Sequence, residues 1–172
     1  MSHLKKLKNI KAFVFDVDGV FTDGSVYLLP EGNMCRVMNV LDGFAVVKAI
    51  KKGYKIGIIT GGDDPMVKHR IQYLGITDYY AKVHQKLEKF DDFKVKYDLN
   101  NDEILSMGDD IPDIKMMEAS GIAACPPNAV AEVKAIADYI SPIYGGKGAV
   151  RDVIEQVLKV QGNWEEDDTQ SI

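Results

Sequence analysis

Phe13-Val14-Phe15-Asp16-Val17-Asp18-Gly19-Val20-Phe21-Thr22-Asp23-Gly24 changes character abruptly at Asp16, where an apolar run beginning at Ala12 gives way to two carboxylates and a glycine. A short β-branched and aromatic run of this kind reads as a buried strand. In an open α/β sheet, ligands collect at the carboxyl ends of such strands. Asp16 and Asp18 lie two residues apart, so in extended chain they project to the same side. Gly19 lets the backbone turn where a Cβ would obstruct it. Two like charges so close require a cation between them or a proton on one. That combination suits a metal-assisted nucleophile beside a general acid. A surface turn also favours Asp and Gly, but it explains neither the apolar run before the acids nor Val20-Phe21 after them.

Downstream, Ser25 to Leu29 and Met34 to Val40 are strand-like runs around Pro30-Glu31-Gly32-Asn33, which predicts a β-hairpin over about 25–40. A helix follows from Gly43 to Lys52, with Phe44, Val47 and Ile50 near one face and Gly53 at its end. Lys55 to Thr60 reads as a strand that breaks into Thr60-Gly61-Gly62. Asp63 or Asp64 caps the next helix, Pro65 suits its first turn, and Gly75 closes it. Tyr79 to Val83 is a short strand, and Lys86 opens a helix with Leu87, Phe90, Phe93 and Tyr97 on its apolar side. The strand Ile104 to Met107 stops at Gly108-Asp109-Asp110, before a helix from about Pro112 to Ser120. Ile122 to Ala124 and Tyr139 to Ser141 are strands flanking a helix capped near Asn128. Val150, Val153, Ile154, Val157 and Leu158 define the last helix by their i, i+3, i+4, i+7, i+8 spacing. Alternating strands and helices call for a parallel sheet covered on both faces.

The chain of 172 residues is long enough for one domain with a real core, here 1–162, with a polar and acidic tail at 163–172. With 46% hydrophobic and 27% charged residues it has an ordinary globular composition. A net charge of -5, with basic residues scattered, argues against a nucleic-acid binder. Cys35 and Cys125 form no Cys-x-x-Cys pairing and read as buried thiols in a reducing compartment. His3, His69 and His84 lack zinc-site spacing. No long apolar stretch follows the basic N-terminus, so neither a signal peptide nor a membrane anchor is expected, and the expected location is the cytoplasm.

Strand ends and helix starts carry Asp16 with Asp18, Thr60, Lys86, and Asp109 with Asp110. Right-handed crossovers would gather them at one crevice. The chemistry they suggest is phosphoryl transfer, which needs spread negative charge neutralised and oxygens held in line. Asp16, Asp109 and a backbone carbonyl are hard ligands suited to Mg²⁺. The Thr60 hydroxyl and the Gly61 N–H can hydrogen-bond a phosphoryl oxygen, and Lys86 supplies a point charge. Singly, Thr60-Gly61 is a strand-to-loop junction, Lys86 a solvated charge, and the acids at 109–113 a helix start. The case rests on their joint occurrence.

Asp16-Val17-Asp18-Gly19-Val20, Thr60-Gly61, Lys86 and Gly108-Asp109-Asp110-Ile111-Pro112-Asp113 resemble, in order, the four motifs of the haloacid dehalogenase-like phosphatases. The resemblance implies a three-layer, Rossmann-like α/β fold. It makes Asp16 the nucleophile that forms an aspartyl-phosphate, and Asp18 the acid/base. Thr60 and Lys86 would position the phosphate, and Asp16, Asp109 and the Asp18 carbonyl would bind Mg²⁺. Asp110 and Asp113 would support the site through water or by holding Lys86. Most members carry a cap domain; here the short chain segments leave room only for the hairpin, whose edges would pair with other copies.

A narrower resemblance covers nearly the whole chain. Thr22-Asp23-Gly24, Asn39-Val40-Leu41-Asp42-Gly43, Gly145-Gly146-Lys147-Gly148-Ala149-Val150-Arg151 and Gln170-Ser171-Ile172 look like the capless phosphatases of 3-deoxy-D-manno-octulosonate 8-phosphate (KDO 8-phosphate). It implies a homotetramer acting in lipopolysaccharide biosynthesis on a small sugar-acid phosphate. Substrate contacts would come from Asp18, Asn39 through Gly43, Gly61, Arg70 and Lys86, and the tail would reach a neighbouring site. Gly62 and Val47 stand where this family often has arginine. The alternatives are a KDN 9-phosphate or other sugar-phosphate phosphatase, a receiver-like phospho-aspartate domain, and a catalytically idle regulatory subunit.

Overall fold

A computed structural model describes residues 3–164, and the tail expected to reach a neighbouring site falls almost wholly outside them. The strand ahead of the two acids is β1, Ala12–Phe15, and every one of its residues is buried. Its side chains alternate between two cores, as the period of a strand requires. Phe13 and Phe15 join the core on one face of the sheet, and Ala12 and Val14 join the core on the other. Burial on both faces explains why the strand reads as a continuous apolar run.

The hairpin is β2 (Tyr27–Leu28) and β3 (Met34–Cys35), paired antiparallel. It is shorter than expected, because only these residues pair across the turn at Pro30–Gly32. Four more strands alternate with helices: β4 (Lys55–Ile59), β5 (Asp78–Tyr80), β6 (Ile104–Met107) and β7 (Ile122–Cys125), with β8 (Tyr139–Ile140) last. Among the described residues, one six-stranded parallel sheet has the order β5-β4-β1-β6-β7-β8. Strand β1 lies at its centre with β4 on one side and β6 on the other. Phe15 is level with Ile58 and Met107, so the chain leaves all three strands at the same edge. That edge is where the motifs begin.

The helices are α1 (His3–Leu7), α2 (Val40–Lys51), α3 (Pro65–Tyr73), α4 (Lys86–Lys96), α5 (Ile114–Ala119), α6 (Ala131–Ile136) and α7 (Ala149–Val160). Residues of α2, α3 and α7 pack into the core with Phe13, and residues of α4, α5 and α6 into the core with Val14. The three-layer arrangement follows. In α7 all of the periodic apolar residues are buried, from Val150 to Leu158. In α4, Phe90 and Phe93 are buried, with Leu87 and Tyr97 packed against them.

Helix α2 departs from expectation in two ways. It begins at Val40 rather than Gly43, because the Asn39 side chain accepts a hydrogen bond from Leu41 N–H and caps it. Its deepest face is Ala45, Val46 and Ala49, while Phe44, Val47 and Ile50 lie at the flanks. Small residues on that face let α2 and α7 approach closely. Asp42, on the first turn of α2, is 0% exposed and accepts a hydrogen bond of 2.8 Å from Arg151 N–H. Gly148 at the start of α7 offers no side-chain cap, so Asp42 supplies one from the neighbouring helix. Trp164 packs 6.1 Å from the Phe44 ring, with Lys48 and Arg151 at 5.4 Å over its own. Trp164 thus packs against both α2 and α7. Cys125 is buried, but Cys35 is exposed on the hairpin, which corrects the reading of two buried thiols. Among the described residues, no helix is long and apolar enough to cross a membrane.

Candidate active site

Asp16 directly follows β1, and its N–H donates to Met107 O at 3.1 Å, which ties it to the end of β6. Beyond it the chain does not stay extended. The Val17 carbonyl accepts from the N–H groups of Val20, Phe21 and Thr22, so a tight turn carries Asp18 back over the sheet edge. Both acids line one cavity of about 510 Å³, as the sequence leads one to expect, but a turn brings them together rather than strand geometry. Thr60, Gly61, Lys86, Asp109, Asp110 and Asp113 line the same cavity.

Thr60 follows β4; its Oγ1 accepts from Gly62 N–H at 3.2 Å, which leaves the hydroxyl hydrogen free to donate to a bound oxygen. Lys86 is 5% exposed at the first turn of α4. Its Nζ lies 2.9 Å from Asp16 Oδ1 and 2.6 Å from Asp113 Oδ1. Burial alone would lower its pKa, but Asp16 and Asp113 hold it above the ordinary lysine value. Asp113 is heavily engaged, because its Oδ2 also accepts from the N–H groups of Asp109 and Asp110 at 3.0 and 3.2 Å.

One carboxylate oxygen each from Asp16, Asp109 and Asp113 falls within 4.8 Å of the other two. Burial, with Asp113 adding to it and Lys86 opposing, pushes the Asp16 carboxyl up to about 7. Burial, then Asp16, Asp113 and Asp110, pushes Asp109 up to about 7. Such crowded acids are what a divalent cation relieves, and an all-oxygen donor set fits Mg²⁺. Asp16 and Asp109 are the natural direct ligands, since Asp113 is committed to Lys86 and two backbone amides. Gly19 has φ +84, and a Cβ there would stand 1.9 Å from Asp109 Oδ2. The carboxylate thus lies directly on the turn after Asp18, where the resemblance places the main-chain ligand.

The Gly145–Gly148 segment supports that turn. A Cβ at Gly145 would stand 1.9 Å from Gly19 O, and Gly146 N–H donates to Val20 O at 3.0 Å. Asn128, expected to cap a helix, does not do so: α6 begins at Ala131 with Val130 before it. Its side chain instead donates to Gly19 O and accepts from Gly145 N–H, both at 2.9 Å.

The expected sugar contacts are placed differently. Asn39 caps α2 and donates to Gly146 O at 3.3 Å; Asp42 and Gly43 are buried; Val40 and Leu41 are exposed. None of these residues lines the catalytic cavity. Asp42 in particular is enclosed, accepting the Arg151 N–H as the cap of α7. Arg70 stacks 5.7 Å over Tyr73 and lines a second cavity of about 390 Å³ with Arg36 and Asp64.

Sequence reasoning missed Arg36, which forms ion pairs with Asp18 and Asp64, and His84, which lines the catalytic cavity. Nothing local marks Arg36: it is one charge on an exposed hairpin until folding lays it over the site. Its Nη2 is 4.0 Å from where a Cβ of Gly62 would be, so its guanidinium lies beside the position where the family often has an arginine.

Residues 80–154 match the model of a haloacid dehalogenase-like hydrolase family. A 3-deoxy-D-manno-octulosonate 8-phosphate phosphatase of Escherichia coli K12 is 35% identical over 169 residues, 98% of this chain and 90% of its own. The Moraxella catarrhalis phosphatase of that name, solved with magnesium, phosphate and KDO, superposes with a TM-score of 0.90 at 34% identity, covering 94% of this chain and 92% of its own. The cobalt-bound Haemophilus influenzae enzyme gives a TM-score of 0.89 at 29% identity, covering 92% and 93%. With the four motifs gathered at one sheet edge and relatives matched over almost their full length, this chain belongs to the 3-deoxy-D-manno-octulosonate 8-phosphate phosphatases of the haloacid dehalogenase-like hydrolases.

Proposed function

We propose that the protein hydrolyses KDO 8-phosphate to KDO and inorganic phosphate, with Mg²⁺, through an aspartyl-phosphate on Asp16. The observation that carries this reading is the meeting of Asp16, Asp18, Thr60, Lys86 and Asp109 around one cavity. Asp16 attacks phosphorus, and Asp18 gives a proton to the departing sugar oxygen. Asp18 then takes a proton from water as that water displaces Asp16, releasing phosphate. The Thr60 hydroxyl and Gly61 N–H hold phosphoryl oxygens, and Lys86 offsets charge on Asp16 and the phosphate. Asp16, Asp109 and the Asp18 carbonyl would hold Mg²⁺, which would supply Lewis-acid neutralisation of the phosphoryl oxygens.

Arg70, in the adjoining cavity, is the cation available to the carboxylate end of the sugar acid. Self-association into a homotetramer is supported by the exposed Tyr27, Leu28, Met34, Val37, Val40 and Leu41 on the hairpin and the start of α2. The thiols of Cys35 and Cys125 are free, in keeping with the cytoplasm, where lipopolysaccharide precursors would be made.

Initial rates on a panel of phosphorylated sugars, with and without Mg²⁺, test the reading. KDO 8-phosphate should give the highest kcat/KM, KDN 9-phosphate a lower one, and removal of the metal should abolish both. A higher kcat/KM for any other ester would overturn the assignment of substrate, and turnover without metal would overturn the mechanism.

A further inference from the structure

Arg36 leaves the hairpin just after β3 and crosses to the catalytic turn. Its Nε donates to Asp18 Oδ1 at 2.6 Å, and its Nη2 donates to Oδ2 at 3.3 Å, a two-point grip on one carboxylate. The remaining nitrogen, Nη1, donates to Asp64 Oδ2 at 2.9 Å. Asp64 is itself fixed, because its Oδ1 accepts from the N–H groups of Met66 and Val67 at the start of α3. A rigid connection therefore runs from the α3 terminus through Asp64 and Arg36 to Asp18. The Arg36 side chain is only 10% exposed, so the guanidinium is covered although the carboxylate it grips stays open to the cavity.

Asp18 needs such support. Its side chain is 39% exposed and stands on a turn, not on a strand. A carboxylate there has freedom about both side-chain torsions, whereas proton transfer requires it within hydrogen-bond reach of first the ester oxygen and then water. The planar guanidinium fixes the plane of the carboxylate by engaging both oxygens, which a lysine cannot do. Each oxygen keeps a second lone pair for the reaction.

We propose that Arg36 is a positioning residue for Asp18, holding the acid/base carboxylate in the orientation used in both half-reactions. This rests on the reading of Asp18 as the acid/base. The competing role is an anchor that merely holds the hairpin down; such an anchor would act independently of Asp18.

The test measures kcat and KM on KDO 8-phosphate for Arg36→Ala, Arg36→Lys, Asp18→Asn and the double variant Arg36→Ala/Asp18→Asn. Arg36→Ala should lower kcat about tenfold or more while KM stays within about threefold. Arg36→Lys keeps the charge that holds the hairpin but loses the two-point grip, so it should recover only part of kcat; it carries the test if Arg36→Ala unfolds. In the Asp18→Asn background, Arg36→Ala should change the residual kcat by less than about twofold, because a residue acting through Asp18 has nothing left to position. Unchanged kcat in Arg36→Ala, full kcat in Arg36→Lys, a change in KM alone, or additive losses in the double variant would each overturn the proposal. Wild-type kcat in Asp18→Asn would overturn the acid/base reading and this proposal together. An inactive Asp18→Asn beside fully active Arg36 variants would overturn the positioning role alone.

Discussion

Gly19 and Asp109 are packed so closely that a Cβ on the glycine would stand 1.9 Å from Asp109 Oδ2. The backbone at Gly19 is also left-handed, at φ +84. Gly19→Ala therefore meets two obstacles, a backbone strain of about 1–2 kcal/mol and expulsion of the Asp109 carboxylate. Expected is a loss of kcat/KM of about a hundredfold or more and a higher Mg²⁺ concentration for half-maximal rate. Steady-state kinetics over a Mg²⁺ titration check both; an unaltered Mg²⁺ dependence would show that Asp109 is not a ligand.

Asp16→Asn should abolish turnover, since an amide does not attack phosphorus as a carboxylate does. Loss of the nucleophile is expected to lower kcat by about four orders of magnitude or more. Phosphate release by a clean preparation is the measurement, with circular dichroism to show that the fold is kept. Retained Mg²⁺-dependent hydrolysis would refute the assignment.

Mg²⁺ should stabilise the protein more at pH 8 than at pH 5.5. Without metal, burial pushes the carboxyls of Asp16 and Asp109 up to about 7, so the folded protein binds protons that the unfolded chain has released. The contribution of a raised acid to stability is full below its unfolded pKa and is lost as pH rises through the folded value. Metal-free protein accordingly loses stability from near pH 4 to pH 7, where these carboxylates become ionised and available to Mg²⁺. Thermal melts at the two pH values, with and without Mg²⁺, should give the larger metal-induced rise in Tm at pH 8. An equal rise at both would contradict the assignment of these acids as ligands.

Asp42 makes a separate pH prediction far from the metal. Burial raises its carboxyl to about 6, only partly offset by the Arg151 N–H and the Arg151 charge, and its Oδ2 has no hydrogen-bond partner. Its contribution falls as pH rises from about 4 to 6, by up to about 3 kcal/mol. Asp42→Asn removes that titration while keeping an oxygen for Arg151 N–H. The Tm difference between the two proteins should move in favour of the variant across this interval, whatever its starting value. A difference independent of pH would show that Asp42 is not raised.

Arg70→Ala should raise KM for KDO 8-phosphate more than KM for a phosphorylated sugar without a carboxylate. The ratio of the two kcat/KM values is expected to fall about tenfold, the loss of one charge-assisted hydrogen bond. A parallel loss on both substrates would show that Arg70 does not read the carboxylate.

Regular local pattern carried most of the fold into the sequence. The run Ala12 to Phe15, the strand Ile104 to Met107 and the spacing Val150 to Leu158 are each set by neighbours one to four residues away, so period alone locates them. Helix starts were harder. The onset of α2 at Val40 depends on a cap made by Asn39, while the apolar period begins only later. The candidate catalytic acids were also legible, because Asp16 directly ends the apolar strand β1, Asp18 follows two residues on, and Asp109 comes just beyond β6.

By itself, the order of residues determined the alternation of strands and helices and the set of groups gathered for phosphoryl transfer. Tertiary structure alone decided that Arg36 grips Asp18, that Asn128 joins Gly19 to Gly145, and that Asp42 caps α7. These partners are separated by 17 to 109 residues. A hydrogen bond between such distant groups imposes no period on the chain between them, and only the packing of sheet, hairpin and helices brings the two ends together.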